Sequence, residues 1–174
     1  MSKEPSYRDF LYDTETAEQL GYYTAIGRVC VVWGMLEFQF DTNVWLMYEG
    51  LGGHALSPIG RPRTLDKKIE LWRQCYDKIP ELKPQQEAAI KFADRLKLAS
   101  VDRNTMLHTN WGNLLAQAEL SEVIGGGFRV EHTQYRHYNA KLNLEWLYKL
   151  TEEIGALQTA LLAFTLATTR LPRK

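Results

Sequence analysis

The chain has 174 residues, 45% of them hydrophobic, enough to build one domain around a sizeable core and too many for a disordered protein. Acidic and basic residues number 21 each, so the formal net charge is zero. That balance excludes a protein that coats nucleic acid by bulk electrostatics, and any RNA contact has to come from local patches.

Residues 1–13 mix charge with Tyr7, Phe10, Leu11 and Tyr12 and read as an N-terminal arm that packs some aromatics. Thr14 or Thr16 can cap a first long helix to about Glu49. Its Ile26, Cys30, Trp33, Glu37, Phe40, Val44 and Met47 follow an alternating four-three spacing, which predicts a buried seam interrupted by one acid. Between Val29 and Leu36 this helix is apolar nearly all round, as expected of a helix shared between two subunits. Gly and Pro punctuate residues 50–62 and predict a loop.

Thr64 caps a second helix, Leu65 to Lys78, with Arg61, Arg63, Lys67 and Lys68 clustered at its start; a solvated face is the simpler reading of that cluster, an RNA contact the other. Pro84 starts a third helix that runs to about Leu107. Leu114–Leu120, a Gly125-Gly126-Gly127 turn and Phe128–Tyr138 predict a short β-hairpin, although Leu114–Ala118 also suits a helical turn. Arg129, His132, Tyr135 and Arg136 give that hairpin a basic, aromatic-flanked composition that suits phosphates and bases; charges that keep an exposed edge soluble are the alternative. Asn143 caps a last helix to about Thr169 with a long apolar face. The expected fold is therefore mostly α, an up-and-down four-helix bundle with a small β-hairpin between the third and fourth helices, forming a single domain over residues 1–174.

Cys30 and Cys75 lie in apolar helical patterns and read as buried thiols; with no signal-peptide core after Met1, a reducing cytoplasm is the expected compartment. The uncharged run Ile154–Thr169 is too short for a membrane span, so no membrane partner is expected. No glycine-rich phosphate loop, Cys-x-x-Cys pair or helical His pair points to a cofactor or metal, and none is expected.

The third helix carries the chemistry. Ala89, Phe92, Leu96 and Ala99 form one stripe, and the next position on it is Arg103, followed by Leu107. A guanidinium stands where a core leucine is expected, and burying a charge is costly unless it is paired. Glu37, the acid in the first helix's seam, is the expected partner.

The hexapeptide Arg103-Asn104-Thr105-Met106-Leu107-His108 resembles the R-N-x-x-x-H motif of the HEPN superfamily, small helical domains that are often metal-independent ribonucleases acting as dimers. Trp111-Gly112 and the upstream Val32-Trp33-Gly34-Met35-Leu36-Glu37 also look like that family. The resemblance implies a homodimeric endoribonuclease with a composite cleft, in which His108 is general acid or base, Arg103 clamps phosphate and Asn104 orients His108 or the substrate. A toxin or anti-phage setting, with an antitoxin or other defence protein as partner, is compatible with the resemblance, and so is neither. Two departures stand out: Thr109 replaces a frequent Gly, and Asn110 stands where toxins silenced by modification carry a Tyr. The competing expectation is a non-catalytic HEPN-like dimer used as a binding or scaffold module.

Overall fold

Four segments with a helical apolar period fold as four long helices. The computed structural model describes residues 17–57, 60–110, 123–131 and 134–172. Helix α1 spans Ala17–Trp45 and runs on into a π-helical turn, Leu46–Gly50. Helices α2, Leu65–Lys78, and α3, Gln86–His108, follow, and α4 spans Leu144–Thr169. Between α3 and α4, strands β1, Val123–Glu131, and β2, Gln134–Leu142, pair antiparallel. The protein is thus a mostly α, four-helix bundle with one β-hairpin between its third and fourth helices. The arm 1–13 and Leu114–Leu120 lie outside the described residues.

Two helix starts are set by short polar side chains, as the sequence implies, while Thr14 and Thr16 lie outside the described residues. Thr64 is extended and its hydroxyl accepts from Lys67 N, while Asn143 Oδ1 accepts from Trp146 N at 2.7 Å. Pro84 sits in a 3-10 turn, Lys83–Gln85, that leads into α3.

Side chains tie the bundle together. Ion pairs Arg73–Asp94 and Lys97–Asp66 join α2 to α3 and run in opposite senses along the two, so these helices are antiparallel. Arg95 holds Glu153 of α4 with two bonds of 2.8 and 2.9 Å, and Gln158 of α4 donates to Val32 O of α1 at 3.0 Å. The core centres on Trp72, whose ring lies 5.3 Å from Phe40, 4.9 Å from Tyr76, 5.4 Å from Phe92 and 5.3 Å from Phe164. Its indole N–H donates to Ala89 O at 3.1 Å, so this polar atom is satisfied where it is buried.

Two expectations need correction. The buried seam of α1 is Val29, Trp33, Leu36, Phe40, Val44 and Met47; Cys30 is exposed and Glu37 only half-buried. Because Val31, Met35, Phe38 and Trp45 make the outer face apolar too, the apolar period fits two stripes and does not tell which one is buried. Cys75 is buried as expected, and burial pushes its thiol up to about 12.

In the hairpin, Gly125–Gly127 lies inside β1 and is not the turn; the chain reverses between Glu131 and Gln134. Glycine is the commonest turn residue, yet here the run serves close backbone approach. Asn110 N donates to Gly126 O at 2.9 Å and forms an isolated antiparallel bridge with it.

Candidate functional site at the end of the third helix

Ala89, Phe92, Leu96 and Ala99 of α3 are buried, and Arg103 follows them half-buried at the edge of the core. Met106 continues the buried stripe, whereas Leu107 is exposed. The guanidinium carbon of Arg103 lies 5.7 Å from the centroid of the buried Trp33 ring, a cation–π distance. Nη1 donates to Asn104 Oδ1 at 2.9 Å, while Nε is enclosed and has no hydrogen-bond partner among the described residues. An arginine fork that bonds one neutral amide and stacks on one ring keeps donors that a carboxylate or phosphate could take.

Glu37 is not that carboxylate. Among the described residues it forms no ion pair and no hydrogen bond, so the expected Glu37–Arg103 pair is not made. The physical reason is the shift of the α1 seam. One turn beyond Trp33 and half-exposed, Glu37 keeps water and does not carry the burial penalty that would have demanded a partner.

Asn104 and His108 are exposed, and His108 is the last residue of α3. By helix geometry His108 stands about 7.5 Å along the axis and about 140° round from Arg103. One chain therefore brings Arg103 and Asn104 together and sets His108 one turn beyond Asn104 on the same flank, but does not turn it toward Arg103. The helix stops because Thr109 is extended, with φ −81 and ψ 135, and its buried hydroxyl donates back to Thr105 O at 2.5 Å. A helix that ends this way has no left-handed position, which accounts for a threonine where a glycine is frequent. The bond from Asn110 to Gly126 then fastens this end to β1.

Asp102 belongs to no sequence motif, yet it adjoins the site. It is half-buried beside Arg103, and burial pushes its carboxyl above the usual range. The available signal is its place three residues after Ala99 and four before Met106, on the flank of the buried stripe.

The other candidates lie on the hairpin. Arg129 and Arg136 are register partners, Tyr135 pairs with Val130, and His132 lies outside the described residues. Among the described residues no group of three or more His, Cys, Asp or Glu could hold a metal ion, and no helix is long and apolar enough to cross a membrane. The chain matches no family model, no curated protein and no solved structure.

Proposed function

We propose that this protein is a metal-independent endoribonuclease of HEPN type, working as a homodimer whose two α3 ends form one cleft. The observation that carries this reading is Arg103, a guanidinium stacked on Trp33 with Nε unpartnered and no carboxylate paired to it among the described residues. A structural arginine at a core edge would normally be matched by an acid. This one keeps its charge available for a phosphate, at the end of the helix that also carries Asn104 and His108.

The chemistry needs no more than these residue types. One imidazole takes the 2′-hydroxyl proton, and the 2′-oxygen attacks phosphorus in line. The 5′-oxygen leaves with a proton from the second imidazole, giving a 2′,3′-cyclic phosphate and a free 5′-hydroxyl. Arg103 neutralises the charge gathering on the phosphate oxygens. Acid and base are both available only if two copies of His108 contribute, so the reading requires a dimer.

The outer face of α1 supports one. Phe38 is 74% and Val31 64% exposed, and they share a face with Trp45 and with Gly27 and Gly34, around which a side chain would meet open space. Large bare apolar residues beside glycines suit close approach of a second helix, and a second copy of α1 presents the same surface across a two-fold axis.

The test is whether purified protein cuts RNA in EDTA, leaves DNA intact for want of the attacking hydroxyl, and loses the activity in His108→Ala with its oligomeric state unchanged. A binding or scaffold module is the second reading. It is favoured by His108, which is exposed and among the described residues has no hydrogen bond to orient it. Retention of RNA binding by a wild type that never cuts would select it.

A further inference from the structure

A second cationic site lies away from the α3 end. A surface cavity of about 890 Å³ opens where the end of α1 meets the start of α2, and Arg61, Arg63, Lys67 and Lys68 stand in its wall with Asp41 and Glu70. Lys68 is only 8% exposed and forms an ion pair with Asp41. Arg61 stacks over Trp45, with its guanidinium carbon 5.7 Å from the ring centroid.

The other three cations are gathered in one lining. Among the described residues Arg61, Arg63 and Lys67 have no carboxylate partner, and Glu70 instead accepts from Gln74 Nε2 at 3.3 Å. Many charges elsewhere are paired, Arg73 with Asp94, Lys91 with Glu87, Arg95 with Glu153, Lys97 with Asp66 and Lys149 with Glu145, and the other arginines without a carboxylate among the described residues, such as Arg28, Arg103 and Arg170, do not gather round this cavity. In a chain of zero net charge, three unpaired cations gathered round one concavity make a local positive field that a bound anion would relieve.

The cavity is also aligned with the α3 end. Trp33, Glu37, Asp41 and Trp45 form one i+4 row along α1, climbing about 6 Å per step. Arg103 stacks on the first of these residues, Lys68 pairs with the third, and Arg61 stacks on the fourth. Cations thus recur along one ridge, about 12 and 18 Å from the level of Arg103. That is the reach of a few nucleotides of single strand, whose backbone is tracked by such grooves.

We propose that this cavity binds backbone phosphates of single-stranded RNA that flank the linkage held at Arg103. The proposal deepens the ribonuclease reading and rests on it for the identity of the strand. Its test is binding, with a probe that cannot be cut, so the two fail separately. A fluorescent 2′-O-methyl oligoribonucleotide of about a dozen residues is titrated with the full chain and with an Arg63→Glu/Lys67→Glu variant, both side chains being exposed and unpaired among the described residues.

The expected result is an affinity at least about tenfold weaker in the variant, with the slope of log affinity against log salt shallower by roughly 1.4, about 0.7 for each phosphate that the variant no longer neutralises. Cleavage of a dinucleotide too short to reach the cavity stays at the wild-type rate. Equal binding by variant and wild type overturns the proposal, as does a wild type that does not bind the probe. Displacement of the probe by micromolar pyrophosphate would assign the cavity to a small free phosphate compound and overturn the RNA assignment. A drop in binding with no cleavage by any form keeps the cavity and removes only the ribonuclease.

Discussion

Two tryptophans mark two ends of this bundle with opposite characters. Trp72 is enclosed by Phe40, Tyr76, Phe92 and Phe164 and gives its N–H to Ala89 O, so its one polar atom has a partner inside the chain. Trp33 is nearly as buried, yet the side chain laid on it is Arg103, whose enclosed Nε has no hydrogen-bond partner among the described residues. The first arrangement is explained by stability alone. The second leaves electrostatic capacity that folding does not use, which is what a site for an anion requires.

The largest expected effect breaks the comparison at its closed end. Trp72→Ala should cost about 3–5 kcal/mol and leave the chain at or past the edge of unfolding in a urea melt. Arg103→Ala, at the open end, should do the reverse. Stability should change by less than about 1 kcal/mol, since no ion pair is removed, while the RNA cleavage rate falls by about a hundredfold or more. A melt in which Arg103→Ala is as damaging as Trp72→Ala would mean that Arg103 is structural.

Phe38→Glu comes next. A charge placed on the bare α1 face should weaken self-association by about 2 kcal/mol or more, seen by sedimentation, and cleavage should fall with the dimer. An unchanged sedimentation profile would leave the outer face of α1 without a role. Trp33→Leu then asks how much the ring positions Arg103. Cleavage should drop by about tenfold, the worth of a partly desolvated cation–π interaction, with the helical circular dichroism preserved.

The smallest effect concerns Asp102, whose folded carboxyl is raised by burial. Below the unfolded value both states hold the proton and the group is neutral in effect. As pH rises through the folded value, ionisation in the half-buried site takes stability away. Asp102→Asn should therefore stabilise the protein at pH 7 by less than about 1 kcal/mol, solvent screening keeping it small, and the gain should vanish near about pH 3. A loss of stability at pH 7 would show that the carboxylate has a partner.

The same contrast decides what the sequence discloses. The helices are legible because each has an apolar period, and three of the starts are marked by a side chain with a local job, Thr64 and Asn143 as caps and Pro84 in the turn that leads into α3. The α1 seam is not legible, because both faces of the helix carry an apolar stripe, with Glu37 between them, and only packing selects the inner one. The hairpin register fails on its glycines, which serve the approach of Asn110 to Gly126. At the site, Arg103 in an apolar stripe is visible as an anomaly, but its resting place on Trp33 is a contact across 70 positions that no local pattern encodes. The likeness of residues 103–108 to a known motif marks a candidate place, and the fold adds the Trp33 ring beneath Arg103.

What decides between an open end that is catalytic and one that is not is end-group analysis, by mass spectrometry, of RNA incubated in EDTA with wild-type protein and with His108→Ala. A ribonuclease working through Arg103 and His108 gives 2′,3′-cyclic phosphate and 5′-hydroxyl ends with the wild type, and intact RNA with a folded His108→Ala. Intact RNA in both reactions, 3′-hydroxyl ends, or the same products from His108→Ala would contradict it.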